Sequence, residues 1–286
     1  MATRSVTRVR TMLSTDLLLA LPEILRYPFM QHAFETGTIV AIVAGIIGYL
    51  VVLRKSSFAA HALSHIGFAG AAGAVLAGVN PIFGLLLFTT TSGAGIAVLG
   101  KNASQRDVEI GTVLAFVMGL GVLFISLYTG YATEAYSILF GDILGISSSG
   151  VILTLIVSII ILAIAAVVYR PILFASLDGN VAEAKGMRVL WLGLAFMLLL
   201  AASISIAVQV VGVLLIFALM VTPAAISMRL TKKPAYAILL SVAIALAATW
   251  AGLIISFYQP YPVSFLITTI IFALYIAVRF AYRGRQ

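Results

Sequence analysis

Nine stretches of this chain are apolar for the length of a membrane crossing, and that repetition leaves few folds open. They are residues 34–53, 58–79, 82–99, 111–128, 151–169, 189–208, 210–229, 235–257 and 263–280. About 20 helical residues cross a hydrocarbon layer roughly 30 Å thick. No water reaches backbone N–H and C=O groups there, so a spanning segment is a helix or part of a closed barrel. A barrel strand would alternate polar and apolar residues, and these runs are apolar on every side. Only 9% of the 286 residues are charged, against about a quarter in soluble chains. The chain reads as an all-α polytopic membrane protein with about eight to nine transmembrane helices. A shorter apolar piece, residues 135–146, is too short to span and reads as re-entrant or interfacial.

The breaks between runs fall at Asn80-Pro81, Arg170-Pro171, Lys233-Pro234 and residues 259–262, where proline punctuates a helix. Cations mark every second break. Arg54, Lys55, Lys101, Arg106, Arg170, Lys185, Arg188, Arg229, Lys232, Lys233, Arg279, Arg283 and Arg285 are 13 of the 17 Lys and Arg residues. The alternate breaks, including Gln209 and residues 129–150, carry none. The positive-inside rule places the first set in the cytoplasm and the second outside. The net charge of +8 is thereby a topology signal and not a nucleic-acid footprint. One conflict remains: nine crossings with a cytoplasmic C-terminus put the N-terminus outside, where Arg4, Arg8, Arg10 and Arg26 lie. Either residues 1–33 are an N-terminal interfacial segment, with residues 34–286 as one transmembrane domain, or the helix count is off by one.

Two of the three histidines, His61 and His65, sit four residues apart in the second run. Residues i and i+4 share a helix face. Imidazole ligates zinc and its first-row neighbours, and ionisable groups inside a membrane segment mark pathways. Packing histidines are the plainer alternative. The pair alone is an incomplete site, which water or a second copy of the chain would complete. The chain has no cysteine, so thiolate metal sites and disulfides are excluded. After the pair, Ala69, Gly73 and Ala77, with Gly70 and Ala74, set small residues at four-residue spacing, a pattern for close helix packing.

The outward segment 129–150 holds Glu134 and Asp142 and no cation, and acidic groups there would concentrate a cationic substrate. On the cytoplasmic side, residues 178–186 read as a short helix. Asp178 or Asn180 caps it and Gly186 ends it. Within the loop 172–188 it is the sizeable structured element facing the cytoplasm, either a plain connector or a docking helix. Residues 95–102 nearly match a phosphate-binding loop, but Asn102 replaces the hydroxyl and the run belongs to a membrane helix. The chain is expected to bind no nucleotide itself. No nucleophile–base set stands out, and His32 shows no local partner.

Four stretches together resemble a known family. They are Tyr27-Pro-Phe-Met-Gln31, Val52-Leu-Arg54-Lys-Ser-Ser-Phe58 with Ala62-Leu-Ser-His65, Leu139-Phe-Gly-Asp142, and Val211-Gly-Val-Leu-Leu215 continuing to Pro223-Ala-Ala225. From about Tyr27 to Arg279 the chain is similar to the membrane permease subunit of ABC importers for zinc, manganese and iron. The resemblance implies a type II importer fold and an Asp-x-x-x-His pair in the metal path. The histidine maps onto His65 and the aspartate onto His61, a departure that shifts preference from manganese toward zinc. It further implies that Asp178, Ala182, Glu183 and Gly186 lie on a coupling helix docked on an ATPase. Two permease copies, two ATPase subunits and an extracytoplasmic metal-binding protein would complete the machine, in a bacterial or archaeal cytoplasmic membrane. No bound cofactor is implied beyond the transported divalent metal. The same architecture carrying manganese, iron or a metal chelate, a stand-alone secondary transporter or channel, and a membrane enzyme are the rival expectations.

Overall fold

Prolines open the helices where the sequence breaks. A computed structural model describes residues 24–99, 103–128 and 141–282. Its elements are α1 (Pro28–Leu53), α2 (Ser57–Leu76), α3 (Pro81–Leu99), α4 (Ala103–Leu127), α5 (Ser148–Leu177), α6 (Gly179–Ala184), α7 (Val189–Leu230), α8 (Pro234–Tyr258) and α9 (Val263–Ala281). Pro28, Pro81 and Pro234 occupy first-turn positions, where the missing N–H costs nothing and the fixed φ suits a helix. Eight of the helices are long and apolar enough to cross a membrane.

One of the eight is two crossings in a row. A straight helix of 42 residues would be about 63 Å long, twice the hydrocarbon thickness. Gly212, at φ 80° and ψ 165°, breaks it. The Phe196 ring lies 4.8 Å from the Arg54 guanidinium carbon, while the Met220 carbonyl meets Gly48. Gly48 and Arg54 are about 9 Å apart along α1, whereas Phe196 and Met220 would be about 36 Å apart on a straight helix. The chain therefore turns back at Gly212, and the described residues make nine crossings. The expected outward break at Gln209 falls three residues late, because only a residue without a β-carbon takes this backbone conformation freely.

Two other boundaries differ from the expected ones. Helix α1 begins at Pro28, so it takes residues 28–33 from the N-terminal segment. Helix α5 runs through Arg170-Pro171 to Leu177. Pro171 removes one backbone hydrogen bond, yet membrane helices tolerate this when neighbours hold the helix. Ile172 is fully buried, and the Ser176 hydroxyl accepts from Arg54 at 3.4 Å.

The core is built by close approach. On α2, Gly70 faces the backbone of Gly84 on α3, and Gly121 of α4 meets Ala69. A β-carbon on Gly48 would overlap the Met220 carbonyl, and one on Gly45 would press on the Val242 backbone. The small-residue pattern after the histidines thus packs helices together, as its spacing implies.

Of the short apolar piece 135–146, residues 141–146 are described, and they are not helical. Gly141, at φ 77°, sits against the Val211–Gly212 peptide, Ile143 reaches Gly37, and the Ile146 carbonyl meets His32. From Ile143 beside Gly37 to Ile146 beside His32 the segment runs outward along α1, and Gly141 covers the α7 reversal.

Candidate functional site

The histidine pair lies on the open edge of a helix that is otherwise enclosed. From Phe58 to Ala72, only Phe58, His61, His65 and Phe68 reach the surface of the chain. These four share one helix face. Glycine and alanine make up most of the other faces, beside Leu63, Ser64 and Ile66, which lets α3, α4 and α7 close around α2. The His61 and His65 rings stand 4.6 Å apart, centre to centre, with their planes at 75°. Phe217, on the returning arm of α7, packs edge-on against His61 at 5.0 Å. The open stripe of α2 therefore adjoins Leu214, Phe217, Val221 and Ala225, the partly exposed stripe of that arm.

Among the described residues, none of the four ring nitrogens has a hydrogen-bond partner. His61 Nδ1 alone is sealed from solvent. The other three are open, so at least one nitrogen on each ring can meet an ion on the exposed side. An orphaned polar atom inside a membrane protein is costly, and imidazole nitrogens are ligands that zinc and its first-row neighbours accept. Among the described residues, no third His, Asp or Glu joins the pair. One chain thus offers two ligands, fewer than the four that zinc takes in closed sites.

Of the outward acidic residues, Asp142 does not assemble with it. Glu134 lies outside the described residues. Asp142 is exposed, and its Oδ1 accepts from the Gly145 N–H at 3.0 Å. It shapes the turn that follows Gly141.

Helix α6 forms as its sequence implies. The Asp178 carboxylate accepts from the Asn180 and Val181 N–H groups, both at 3.0 Å, an N-cap. Gly186, at φ 79°, ends the helix: its N–H donates to Glu183 and the Met187 N–H to Ala182. That pair of bonds is a Schellman stop. Ala182 is fully buried and pins the helix from below, while Val181 and Glu183 are exposed. Residues 95–99 are helical, which removes the phosphate-loop reading.

Two residues escaped the sequence. His32 does have partners: its Nδ1 lies 3.1 Å from the Ile146 carbonyl and its Nε2 3.2 Å from the Ser148 hydroxyl. Both are more than a hundred residues away, so no local pattern could reveal them. Phe217 is one aromatic in an aliphatic run, and only the α7 reversal brings it to His61.

The family model described as the ABC 3 transport family matches residues 26–282. The chain is 35% identical over 274 residues to the manganese transport system membrane protein MntC of Listeria monocytogenes, covering 92% of this chain and 95% of that one. It is 31% identical over 232 residues to the manganese import system permease protein ScaB of Streptococcus gordonii, covering 81% and 83%. Among solved structures, PsaBC from Streptococcus pneumoniae in complex with Fab matches with a TM-score of 0.80 at 27% identity, over 92% of this chain and 94% of that one. The family model spans nearly all of the described bundle, and the chain belongs to the ABC 3 transport family.

Proposed function

We propose that this chain is the membrane permease of an ATP-driven importer for divalent first-row transition metals. The observation that carries the reading is the pair of imidazoles with open nitrogens on the exposed edge of α2. The named activities of the relatives support metal as the cargo class. Two copies facing each other along the α2 and α7 stripes would bring four imidazoles to one axis and supply the ligands a single chain lacks. The nucleotide chemistry belongs to a separate ATPase, which α6 meets through its exposed face. An extracytoplasmic binding protein delivers the ion, and the bundle sits in a bacterial cytoplasmic membrane.

Zinc is the cargo that this donor set favours. Neutral imidazole suits zinc, while manganese prefers oxygen ligands. The second reading is manganese, and the names of MntC and ScaB favour it.

Reconstitution with a cognate ATPase and binding protein in liposomes tests both. Replacing both histidines, His61→Ala with His65→Ala, is expected to lower ATP-driven metal uptake at least tenfold while the protein stays monodisperse. His61→Asp is expected to move the zinc-to-manganese uptake ratio toward manganese. Unchanged uptake in the double variant would remove the pair from the path. An unchanged ratio in His61→Asp would remove zinc as the favoured cargo.

A further inference from the structure

Away from the metal path, two arginines converge on one tyrosine with no carboxylate to pair them. Arg229 is in the last turn of α7 and Arg279 in the last turn of α9. The Arg229 guanidinium carbon lies 5.6 Å from the Tyr275 ring centre, and Arg279 donates to the Tyr275 hydroxyl at 3.5 Å. Both arginines are exposed. Neither has an ion pair among the described residues, and the chain has no Asp or Glu after Glu183. Lys232 and Lys233 follow directly on the connector, with the Lys233 ammonium 5.6 Å from the Tyr236 ring.

A cation at a helix C-terminus complements the helix dipole. That accounts for one arginine per helix. Two helices also bring like charges onto a single phenol, and although the ring face attracts Arg229, an anion beside both guanidinium groups would relieve their repulsion. By the charge pattern this end of the bundle is at the cytoplasmic boundary, where phospholipid phosphates supply the anion. Arginine suits that group, because its planar fork donates two parallel hydrogen bonds to phosphate oxygens. The surface leading away from the cluster is apolar. Phe272, Tyr275 and Arg279 share one face of α9 at i, i+3 and i+7, and Phe272 is 60% exposed within the span. A soluble protein reaches the arginines but not Phe272; an acyl chain reaches both.

We propose that Arg229, Arg279 and Tyr275 form a binding site for the headgroup of an anionic phospholipid of the inner leaflet, with its acyl chain along Phe272.

The test uses the full-length protein in nanodiscs of phosphatidylcholine with added phosphatidylglycerol, read by native mass spectrometry of retained lipid. The wild type is expected to retain phosphatidylglycerol, and less of it at high salt. Replacing both arginines, Arg229→Gln with Arg279→Gln, is expected to weaken retention about thirtyfold, at roughly fivefold per cation. The matching double lysine variant keeps the charge without the fork and is expected to fall between them. Tyr275→Phe, which keeps the ring under Arg229, is expected to lose less than the double glutamine variant, and Phe272→Ala to lose the preference for long acyl chains. Equal retention by wild type and the glutamine variant overturns the site. So does displacement of the lipid by inorganic phosphate with no dependence on acyl length. Loss of ATPase association with lipid retention unchanged would make the cluster a protein-docking patch instead.

Discussion

Helix α2 and helix α5 invert what a soluble protein would do. The α2 span has a mean hydropathy of 1.3 and 67% of it is buried; the α5 span has 3.3 and only 22% is buried. In water the more apolar helix would be the one inside. In a bilayer, lipid tails are as apolar as leucine, so burial is not driven by hydropathy. Side chains that match the lipid face it, and small or polar ones turn inward, where backbones can approach and hydroxyls find carbonyls. Thr89 on α3 and Ser205 on α7, 2.7 Å apart and both buried, illustrate the inward class. The helix least suited to lipid is therefore the one enclosed by α3, α4 and α7, and its remaining open edge carries the two histidines.

The largest effect should come from enlarging a residue at the tightest contact in the enclosed region. Gly84→Leu pushes a side chain into the Gly70 backbone and the Ala74 methyl. Neither can rotate away, so the cost exceeds the usual 1–3 kcal/mol of overpacking, at about 4 kcal/mol or more. We expect loss of monodisperse protein in fluorescence-detected size exclusion. Gly95 of α3 has open space where its β-carbon would be, and Gly95→Leu on the same helix should be tolerated. Equal behaviour of the two would mean that helix approach is not what holds α2 in place.

How much of this was legible in the sequence differs between the same two regions. The lipid-facing helices announce themselves, because a run such as residues 151–169 is apolar but for Thr154 and Ser158, and the alternating cations orient the crossings. The boundaries hidden inside apolar sequence were not legible. Pro171 looked like a break and is helical, because neighbours on α1 and α7 hold the helix past it. The true break at Gly212 sits among valines and leucines, with only the missing side chain to mark it. The histidine pair was visible from its spacing alone. Phe217 beside His61, and His32 beside Ile146 and Ser148, were not, since both depend on chain reversals that local patterns do not record.

A mid-sized effect is expected on helix α6. Asp178→Ala removes the two N-cap hydrogen bonds of α6 and should destabilise it by about 1 kcal/mol. A helix of six residues has little stability of its own, so that loss frays it. If α6 meets the ATPase, metal-stimulated hydrolysis should fall several-fold while the thermal midpoint of the isolated permease barely moves. Asp178→Asn, which retains an acceptor oxygen, should restore coupling. A shift in the midpoint with coupling intact would make α6 a plain connector.

The smallest effect should appear where the sequence is most apolar. Ile159 on α5 is 57% exposed, and Ile204 on α7 is 1% exposed. Truncating Ile204 to alanine opens a cavity and should cost about 2–5 kcal/mol. Truncating Ile159 leaves no cavity, because lipid tails move into the space, and the side chain touches lipid in the unfolded membrane state as well. We expect a change of about 0.5 kcal/mol or less, seen as an unaltered midpoint in thermal unfolding of the detergent-solubilised protein and of the same protein in lipid. The outcome in lipid is the sharper one. If Ile159→Ala lowers the midpoint there as much as Ile204→Ala does, the α5 face is not against lipid but against another protein surface. The contrast between the two helices would then be one between two buried interfaces, only one of them within a single chain.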